Sequence, residues 1–250
     1  MDDNTARQLA DINAAFYARR AADFSASREG PWPGWRRLHG LLDAEGLPAA
    51  ARVLDVGCGN ARLGRFLAEA RPALRYSGLD SCGELIAIAQ AEGRLGTAPE
   101  FLEIDLVGDD LTAALGARRF DLIAGFGLLH HVPGRARRRA LLATLLARLA
   151  PGGLMALTCW RLVAFARFRD KIVPWEAAQP PVDPGRLEPG DHLLPFGDGG
   201  GLRYVHFAHE DETAELLAEL PVERVASWRA DGQNDELNQY FVVRATRPRP

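Results

Sequence analysis

Apolar side chains recur at helical spacing near the start of the chain. They predict a helix over residues 5–23, on the positions Leu9, Ile12, Phe16 and Tyr17. A turn-rich stretch follows, in which Pro31 and Pro33 interrupt regular structure, and a second helix is expected over residues 34–45. We therefore expect an N-terminal helical cap over residues 1–48.

From residue 52 onward, short apolar runs alternate with helical patterns. The apolar runs predict strands over residues 52–56, 75–80, 100–104, 121–125, 154–160, 222–228 and 239–245. The helical patterns predict helices over residues 61–71, 83–93, 135–149 and 210–220. This order predicts an α/β fold: a Rossmann-like, doubly wound and mostly parallel sheet of seven strands, which binds its ligand at the carboxyl ends of the strands.

One segment departs from this alternation. Residues 172–201 are rich in Pro, Gly and Asp, and a loop of this length inside a compact domain is usually functional or disordered. We therefore expect a single domain over residues 1–250, with a core over 49–160 and, after strand five, an insertion over 172–208 on the substrate side.

The composition narrows the class of protein. The chain has 250 residues, is 47% hydrophobic and carries a net charge of −3, which does not favour general attraction to DNA. The three cysteines lack the spacing of a metal site or a disulfide framework, so no metal is expected. We see neither an apolar run of the ~18 residues that span a bilayer nor an N-terminal signal peptide, and we expect a cytoplasmic protein without membrane contact.

The strongest local motif is Asp55-Val56-Gly57-Cys58-Gly59-Asn60, a strand followed by a glycine turn. Glycines allow a ligand to approach the backbone closely. A dinucleotide loop would have a third glycine, which is missing here, and a carboxylate at Asp55 would repel a pyrophosphate. The same carboxylate can pair with an ammonium group, such as that of S-adenosylmethionine (SAM). The motif therefore favours SAM over NAD.

Two further carboxylates follow neighbouring strands. Asp80 ends the second strand, where it can bind ribose hydroxyls, a position that would suit NAD equally well. Asp105 follows the third strand and can accept a hydrogen bond from an adenine amino group.

In this order, the motifs resemble those of class I SAM-dependent methyltransferases: DVGCGN, GLD, Asp105, FDLIAGFGLLHHV and LAPGG. The resemblance covers roughly residues 50–160. It implies SAM as the cofactor and further cofactor contacts from Gly57, Cys58, Gly59, Ser81, Leu106, Phe126 and Leu128.

The flanking segments resemble a narrower family, the wobble-uridine tRNA carboxymethyl methyltransferases. The resemblance lies in the segments FSASR with PWP, GDHLLPF and RYVHF, at residues 24–33, 190–196 and 203–207. Ser27, Val205 and Phe196 depart from the family pattern. The resemblance implies that a carboxylate on tRNA is methylated to an ester and that a small activator subunit takes part.

A carboxylate with a pKa near ~4 is ionised at neutral pH and needs no general base. It does need a group that holds its charge, a task for which the planar guanidinium of Arg is suited. Arg203 is the first candidate, and Arg28 is the second, unless Arg28 binds the methionine carboxylate of SAM. The expected hydrogen-bond donors to the acceptor are His131, Tyr204 and His206, with His130 as a further candidate. Of the two adjacent histidines, we expect one to face the pocket, with His131 favoured.

Other functions stay open at this point. A methyltransferase of a small metabolite fits the negative net charge, whereas the flanking motifs favour tRNA. A non-catalytic SAM-binding subunit and a dehydrogenase fit less well, because Asp55, Asp80 and Asp105 are all present and the third glycine is not. Two basic segments could contact RNA phosphates or form solvated faces, at residues 135–139 and 161–171.

Overall fold

The computed structural model describes residues 1–27, 30–196, 201–207 and 210–246. Its nine strands are β1 (Arg52–Val56), β2 (Arg75–Asp80), β3 (Thr97–Glu103), β4 (Phe120–Gly125), β5 (Leu149–Trp160), β6 (Asp191–Pro195), β7 (Leu202–His206), β8 (Val222–Ala230) and β9 (Asn238–Ala245). Seven of them form one sheet in the order β3-β2-β1-β4-β5-β9-β8, in which β9 runs antiparallel to both of its neighbours. The predicted doubly wound, mostly parallel sheet is confirmed.

The α-helices are α1 (Asp3–Ala26), α2 (Pro33–Ala44), α3 (Arg62–Ala70), α4 (Gly83–Glu92), α5 (Leu111–Leu115), α6 (Arg135–Leu146), α7 (Ala166–Arg169) and α8 (Glu210–Ala218). Helix α1 begins after Asp2, whose side chain accepts a hydrogen bond from the Thr5 amide. Helix α2 begins with Pro33, which needs no amide partner there. Among the described residues, no helix has both the length and the apolar character that crossing a membrane requires.

Two apolar clusters cover the two faces of the sheet. Along β1, Val53 belongs to one cluster, while Leu54 and Val56 belong to the other, as the alternation of a strand requires. The second cluster includes the fully buried Leu142 of α6. Removing such a side chain leaves a cavity that typically costs about 2–5 kcal/mol. The sheet is thus held rigid beneath the strand ends.

Several element bounds differ from the prediction. Strand β5 begins at Leu149 rather than at residue 154, because Phe120 pairs with Leu149 and Leu122 with Leu154, and the residues between them form an irregularity in the ladder. Helix α6 accordingly ends at Leu146. The short helix α5 was not predicted; it begins after Asp110, whose side chain accepts from the Ala113 amide.

The segment expected as an insertion after β5 contains a β-hairpin. Strands β6 and β7 pair antiparallel, and the Tyr204 amide donates to Asn13 Oδ1 of α1 at 2.8 Å. Leu9, Leu193 and Tyr204 pack in one apolar cluster between helix and hairpin. The hairpin and α1 therefore cover the carboxyl ends of the sheet strands together.

Candidate functional site

A cavity of about 750 Å³ lies at the carboxyl ends of β1–β5, a volume typical of small-molecule sites. It is lined by the predicted cofactor residues Asp55, Gly57, Cys58, Gly59, Asp80, Ser81, Asp105, Leu106 and Phe126. It is also lined by Arg203 and His131 from the predicted acceptor side. The fold thus brings residues from most of the chain to one cavity.

The turn after β1 forms the floor of the cofactor end. The amides of Gly57 and Cys58 both donate to the Leu79 carbonyl of the neighbouring strand, at 2.8 and 2.9 Å. Gly57 has a φ of +71°, and a Cβ there would come within 3.0 Å of Leu128 Cδ1. Any larger residue would therefore be strained and would disturb the wall of the cavity.

Asp55 is a buried carboxylate with a strong preference for a cationic ligand. It is 3% exposed and accepts a hydrogen bond of 2.7 Å from the Tyr76 hydroxyl. Burial raises the pKa of Asp55 to about 7, the Asp80 charge adds to the rise and the Tyr76 bond opposes it. A positive group placed beside this carboxylate would stabilise its charged form, so the methionine ammonium of SAM fits here.

Asp80 holds the glycine turn in place and keeps acceptor capacity free. Its two carboxylate oxygens accept from the Gly59 amide at 2.7 Å and from the Cys82 amide at 3.0 Å. Burial raises its pKa, and these backbone bonds oppose the rise. Each oxygen can accept more than one hydrogen bond, so ribose hydroxyls fit as further donors.

The Asp105 carboxylate already accepts hydrogen bonds from other protein groups, which the sequence did not indicate. It accepts from the Arg7 guanidinium of α1 and from the Val107 amide at 2.9 Å. An adenine amino group would have to share an oxygen with one of these donors. Arg7 also lines the cavity, so the N-terminal helix reaches the predicted adenine end.

Aromatic rings form the wall between the two ends of the cavity. Phe126 stacks on Trp35 with ring centroids 6.1 Å apart, and Trp35 stacks on Trp32 at 5.4 Å. The Arg62 guanidinium lies over both tryptophans. The resemblance pointed to Phe126 and the PWP segment to Trp32, whereas Trp35 shows no motif and was missed.

The two adjacent histidines have different surroundings, although both line the cavity. His131 Nδ1 lies 3.2 Å from Asn13 Nδ2 and 3.1 Å from the Tyr204 carbonyl oxygen, and its Nε2 lies 2.9 Å from the Tyr17 hydroxyl. His130 is 8% exposed, and its Nδ1 has no hydrogen-bond partner. Asn13 and Tyr17 are functional candidates that the sequence did not indicate, since Tyr17 was identified only as an apolar helix position and Asn13 not at all.

Arg203 carries a charge without an anionic partner. It forms no hydrogen bond or ion pair with any part of the chain that the structure describes, and its Nε is buried without a partner. Its guanidinium lies over the rings of Trp160, Phe16 and Phe196, at 5.1, 5.8 and 5.6 Å from their centroids. The rings hold the guanidinium at the cavity wall, where an anion can neutralise it.

Tyr204 and His206 were expected beside Arg203, but neither is among the residues that line the cavity. Successive side chains of a strand point to opposite faces, so Arg203 reaches the cavity and its neighbour Tyr204 does not. The Tyr204 hydroxyl donates to Asp191 Oδ1 at 2.9 Å, and His206 lies between Asp191 and Glu212 at 2.7 and 2.9 Å. The expected direct contact of both with an acceptor is corrected to a buried anchoring role.

Arg138 completes this buried anchor. It is 1% exposed and donates to Glu188 at 2.9 Å and to Glu212 at 2.7 Å. Burial lowers the pKa of His206, but the bonds to Asp191 and Glu212 outweigh it and the pKa is raised. Burial raises the pKa of Glu212, yet His206 and Arg138 together lower it to about 2. Glu188, Asp191 and His206 have the spacing of metal ligands, and in this structure they contact Arg138, Tyr204 and Glu212.

The remaining predicted site residue is Arg28 in the FSASR segment. Arg28 lies outside the described residues. Its neighbour in the FSASR segment, Ser25, accepts a hydrogen bond of 2.8 Å from Asn60 Nδ2 in the glycine turn. Ser25 therefore contacts the predicted cofactor site.

Comparison with known proteins supports the interpretation of the chain as a methyltransferase. Residues 54–155 match the family described as methyltransferase domain. The chain is similar to the tRNA (carboxymethyluridine(34)-5-O)-methyltransferase of Arabidopsis thaliana, with 30% identity over 58% of this chain and 31% of the relative. It is also similar to the trans-aconitate 2-methyltransferase of Streptomyces avermitilis, with 35% identity over 42% of this chain and 38% of the relative.

The chain spans about a third of the length of the first curated relatives that it matches. Among solved structures, it resembles the magnesium protoporphyrin IX methyltransferase of Synechocystis PCC 6803 with bound SAH, at a TM-score of 0.65 and 14% identity over 94% of this chain and 99% of the other. Residues 54–155 therefore match a methyltransferase domain, and the chain has the class I fold of SAM-dependent methyltransferases.

Proposed function

We propose that this SAM-dependent methyltransferase domain esterifies a carboxylate on a modified wobble uridine of tRNA. The observation that carries the proposal is Arg203, a cation at the cavity wall that has no anionic partner among the described residues. The cofactor end has the opposite character, with the carboxylates Asp55 and Asp80. The cavity is thus matched to a cationic cofactor at one end and an anionic acceptor at the other.

The reaction requires little from the protein other than alignment of the acceptor oxygen with the methyl group. Bound SAM supplies a methyl group whose bond to sulfur breaks as the bond to the acceptor oxygen forms, with the electron pair left on the sulfur of SAH. Since the carboxylate is already ionised, no proton has to move. Asp55 and Asp80 orient the cofactor, Arg203 holds the acceptor charge, and the rings of Trp32 and Phe126 exclude water.

Two features support a tRNA carboxylate in particular. The Arabidopsis relative is named for carboxymethyluridine and the Streptomyces relative for trans-aconitate, and both compounds carry carboxylates. Lys171 lines the cavity, and Arg167 and Arg169 are exposed beside it, where RNA phosphates can approach. The cytoplasmic location, the single-domain organisation and the activator subunit stay predictions.

A small acidic metabolite is the second candidate acceptor. The net charge of −3 does not favour RNA, and the basic run of α6 is neutralised. Arg135 and Arg139 pair with Glu219, Arg137 pairs with Asp3, and Arg138 is buried. Carboxylates thus engage much of this run, so the segment around Lys171 is the phosphate-binding surface that we favour.

The test is methyl transfer from SAM labelled in its methyl group. Acceptors would be total tRNA and a small-metabolite extract, both from a strain that lacks the gene, with Asp80→Ala as the inactive control. We expect label in tRNA that mild base releases as methanol, and transfer that weakens steeply with salt. Label in small molecules alone would overturn the tRNA assignment, and base-stable label in either pool would overturn the carboxylate.

A further inference from the structure

His130 is a buried cavity residue whose ring nitrogens have no hydrogen-bond partner among the described residues. It makes no hydrogen bond to any described residue, and its Nδ1 is enclosed by protein atoms without a partner. Nε2 likewise has no hydrogen-bond partner among the described residues but is not enclosed, so in the cavity wall it is available to a ligand. Since Nδ1 is enclosed, Nε2 is the nitrogen that can meet a ligand.

Its neighbour His131 already contacts other protein groups through both ring nitrogens. Both of its ring nitrogens lie within hydrogen-bond distance of the protein, with Asn13 and Tyr17 of α1 on either side. His131 therefore joins α1 to the wall of the cavity. We infer that His130, and not His131, contacts the methyl acceptor, and that it donates a hydrogen bond from Nε2–H to one oxygen of the acceptor carboxylate. The inference rests on the proposed function.

The surroundings of His130 determine its charge and which ring nitrogen carries the proton. Its ring centroid lies 5.2 Å from that of Trp160, the residue over which Arg203 is also held. Burial lowers its pKa well below the usual value, and the charges of His131, Arg203 and His206 add to the effect. The ring is therefore neutral at pH 7. Orphaned N–H groups are rarer in proteins than unsatisfied acceptors, which places the proton on Nε2 rather than on the enclosed Nδ1.

A neutral donor beside a cation suits this reaction. Arg203 balances the charge of the carboxylate, and a hydrogen bond from His130 fixes the plane of the group. A second cation at this position would withdraw charge from both oxygens and weaken the nucleophile. With one oxygen held by His130, the other keeps a lone pair for the methyl group. His130 would thereby select a planar anion over a hydroxyl or amine acceptor.

The direct test is a long-range ¹H–¹⁵N correlation spectrum of the histidine rings. The chain has six histidines, and His130→Gln assigns the signal. In the SAH complex, we expect a neutral His130 with its proton on Nε2 throughout pH 6–8. Addition of the nucleoside 5-carboxymethyluridine should shift this Nε2 signal and leave the His131 signals nearly unchanged. A proton on Nδ1, or a bound nucleoside that shifts only His131, would overturn the inference.

Binding measurements separate this inference from the proposed function. Calorimetry would measure the nucleoside, and trans-aconitate as a second carboxylate, on the SAH complex. We expect His130→Phe to weaken binding of the carboxylate probe about 10- to 100-fold, with SAH affinity within threefold of the wild type. His130→Gln places an amide near the position of Nε2 and should restore most of the affinity. Unchanged binding by His130→Phe would refute the role of His130; if neither probe binds the wild type, the carboxylate acceptor fails and the inference fails with it.

Discussion

The two ends of the cavity are built in different ways. At the cofactor end, Asp55 and Asp80 lie on consecutive strands; the Tyr76 hydroxyl orients Asp55, and the amides of Gly59 and Cys82 orient Asp80. At the acceptor end, Asn13 meets Tyr204, which is 191 residues away, and Tyr17 meets His131 across 114 residues. The cofactor end is thus a product of local sequence and sheet topology, whereas the acceptor end exists only where α1, β5 and the β6–β7 hairpin meet.

The two ends of the cavity also differ in charge. Carboxylates dominate the cofactor end, where Asp55 has a pKa of about 7 because burial opposes its charge. The acceptor end presents Arg203, which has no anionic partner in the described part of the chain, and the neutral His130. A site that keeps an anion and a cation apart can orient two ligands of opposite charge without letting them exchange places. The following variants test this division, in order of decreasing expected effect.

Arg138→Met should cause the largest loss, because Glu188 and Glu212, each only about a fifth exposed, lose the buried guanidinium that they share. We expect the free energy of unfolding to fall by about 3–5 kcal/mol. Urea unfolding followed by circular dichroism would measure it. The control is Arg139→Met on the same helix, an exposed residue whose ion pair should contribute less than ~1 kcal/mol. Equal unfolding midpoints for the two variants would show that the hairpin is not anchored by this network.

Asp80→Ala tests the cofactor end. The change removes the acceptor of the Gly59 and Cys82 amides together with the expected ribose contact. We expect SAM affinity to fall about 100-fold, which corresponds to about 2.7 kcal/mol. Calorimetry would measure it, with the exposed Glu69→Ala as the control. Unchanged SAM affinity would remove Asp80 from the cofactor site.

Arg203→Met tests the separation of the two ends. It keeps the apolar contacts with Trp160 and Phe16 and removes the charge. We expect turnover with the carboxylate acceptor to fall about 10- to 100-fold, as for loss of a charged hydrogen bond, while SAM affinity stays within threefold. Steady-state kinetics and calorimetry would measure the two. If SAM affinity fell instead, Arg203 would belong to the cofactor end.

The smallest expected effect is a pH dependence of SAM binding. Only the ionised form of Asp55 attracts the ammonium of SAM, and its pKa is raised to about 7. SAM affinity should therefore be constant above pH 7 and weaken by up to about tenfold per pH unit below it. Calorimetry between pH 5.5 and 8.5 would show this slope. Asp55→Asn should bind more weakly and without the slope, and the same slope in this variant would assign the titration to another group.

Much of the cofactor end could be predicted because its signals are local. The glycine turn, Asp80 at a strand end and Asp105 after the next strand are all visible in short windows, and parallel strands bring their carboxyl ends together. What local reading could not show is that Asp105 pairs with Arg7, since that contact joins residues 98 positions apart.

At the acceptor end, motifs identified the right segments but not which side chains face the ligand. The segment at residues 203–207 was correctly placed near the site, yet the alternation of β7 turns Arg203 to the cavity and Tyr204 to Asp191. Likewise, adjacent histidines are equivalent in the sequence, and only the docking of α1 occupies His131 and leaves His130 without a partner.

The sequence by itself determined the sheet, and it predicted the turn for the cofactor and the cationic residue for an anion. Hydrophobic periodicity and glycine geometry act over a few residues, so they can be read from the chain directly. The tertiary structure decided which polar groups are satisfied by the protein and which are left for a ligand. That outcome depends on contacts between distant segments, because a hydrogen bond is free for substrate only if no other part of the fold has taken it.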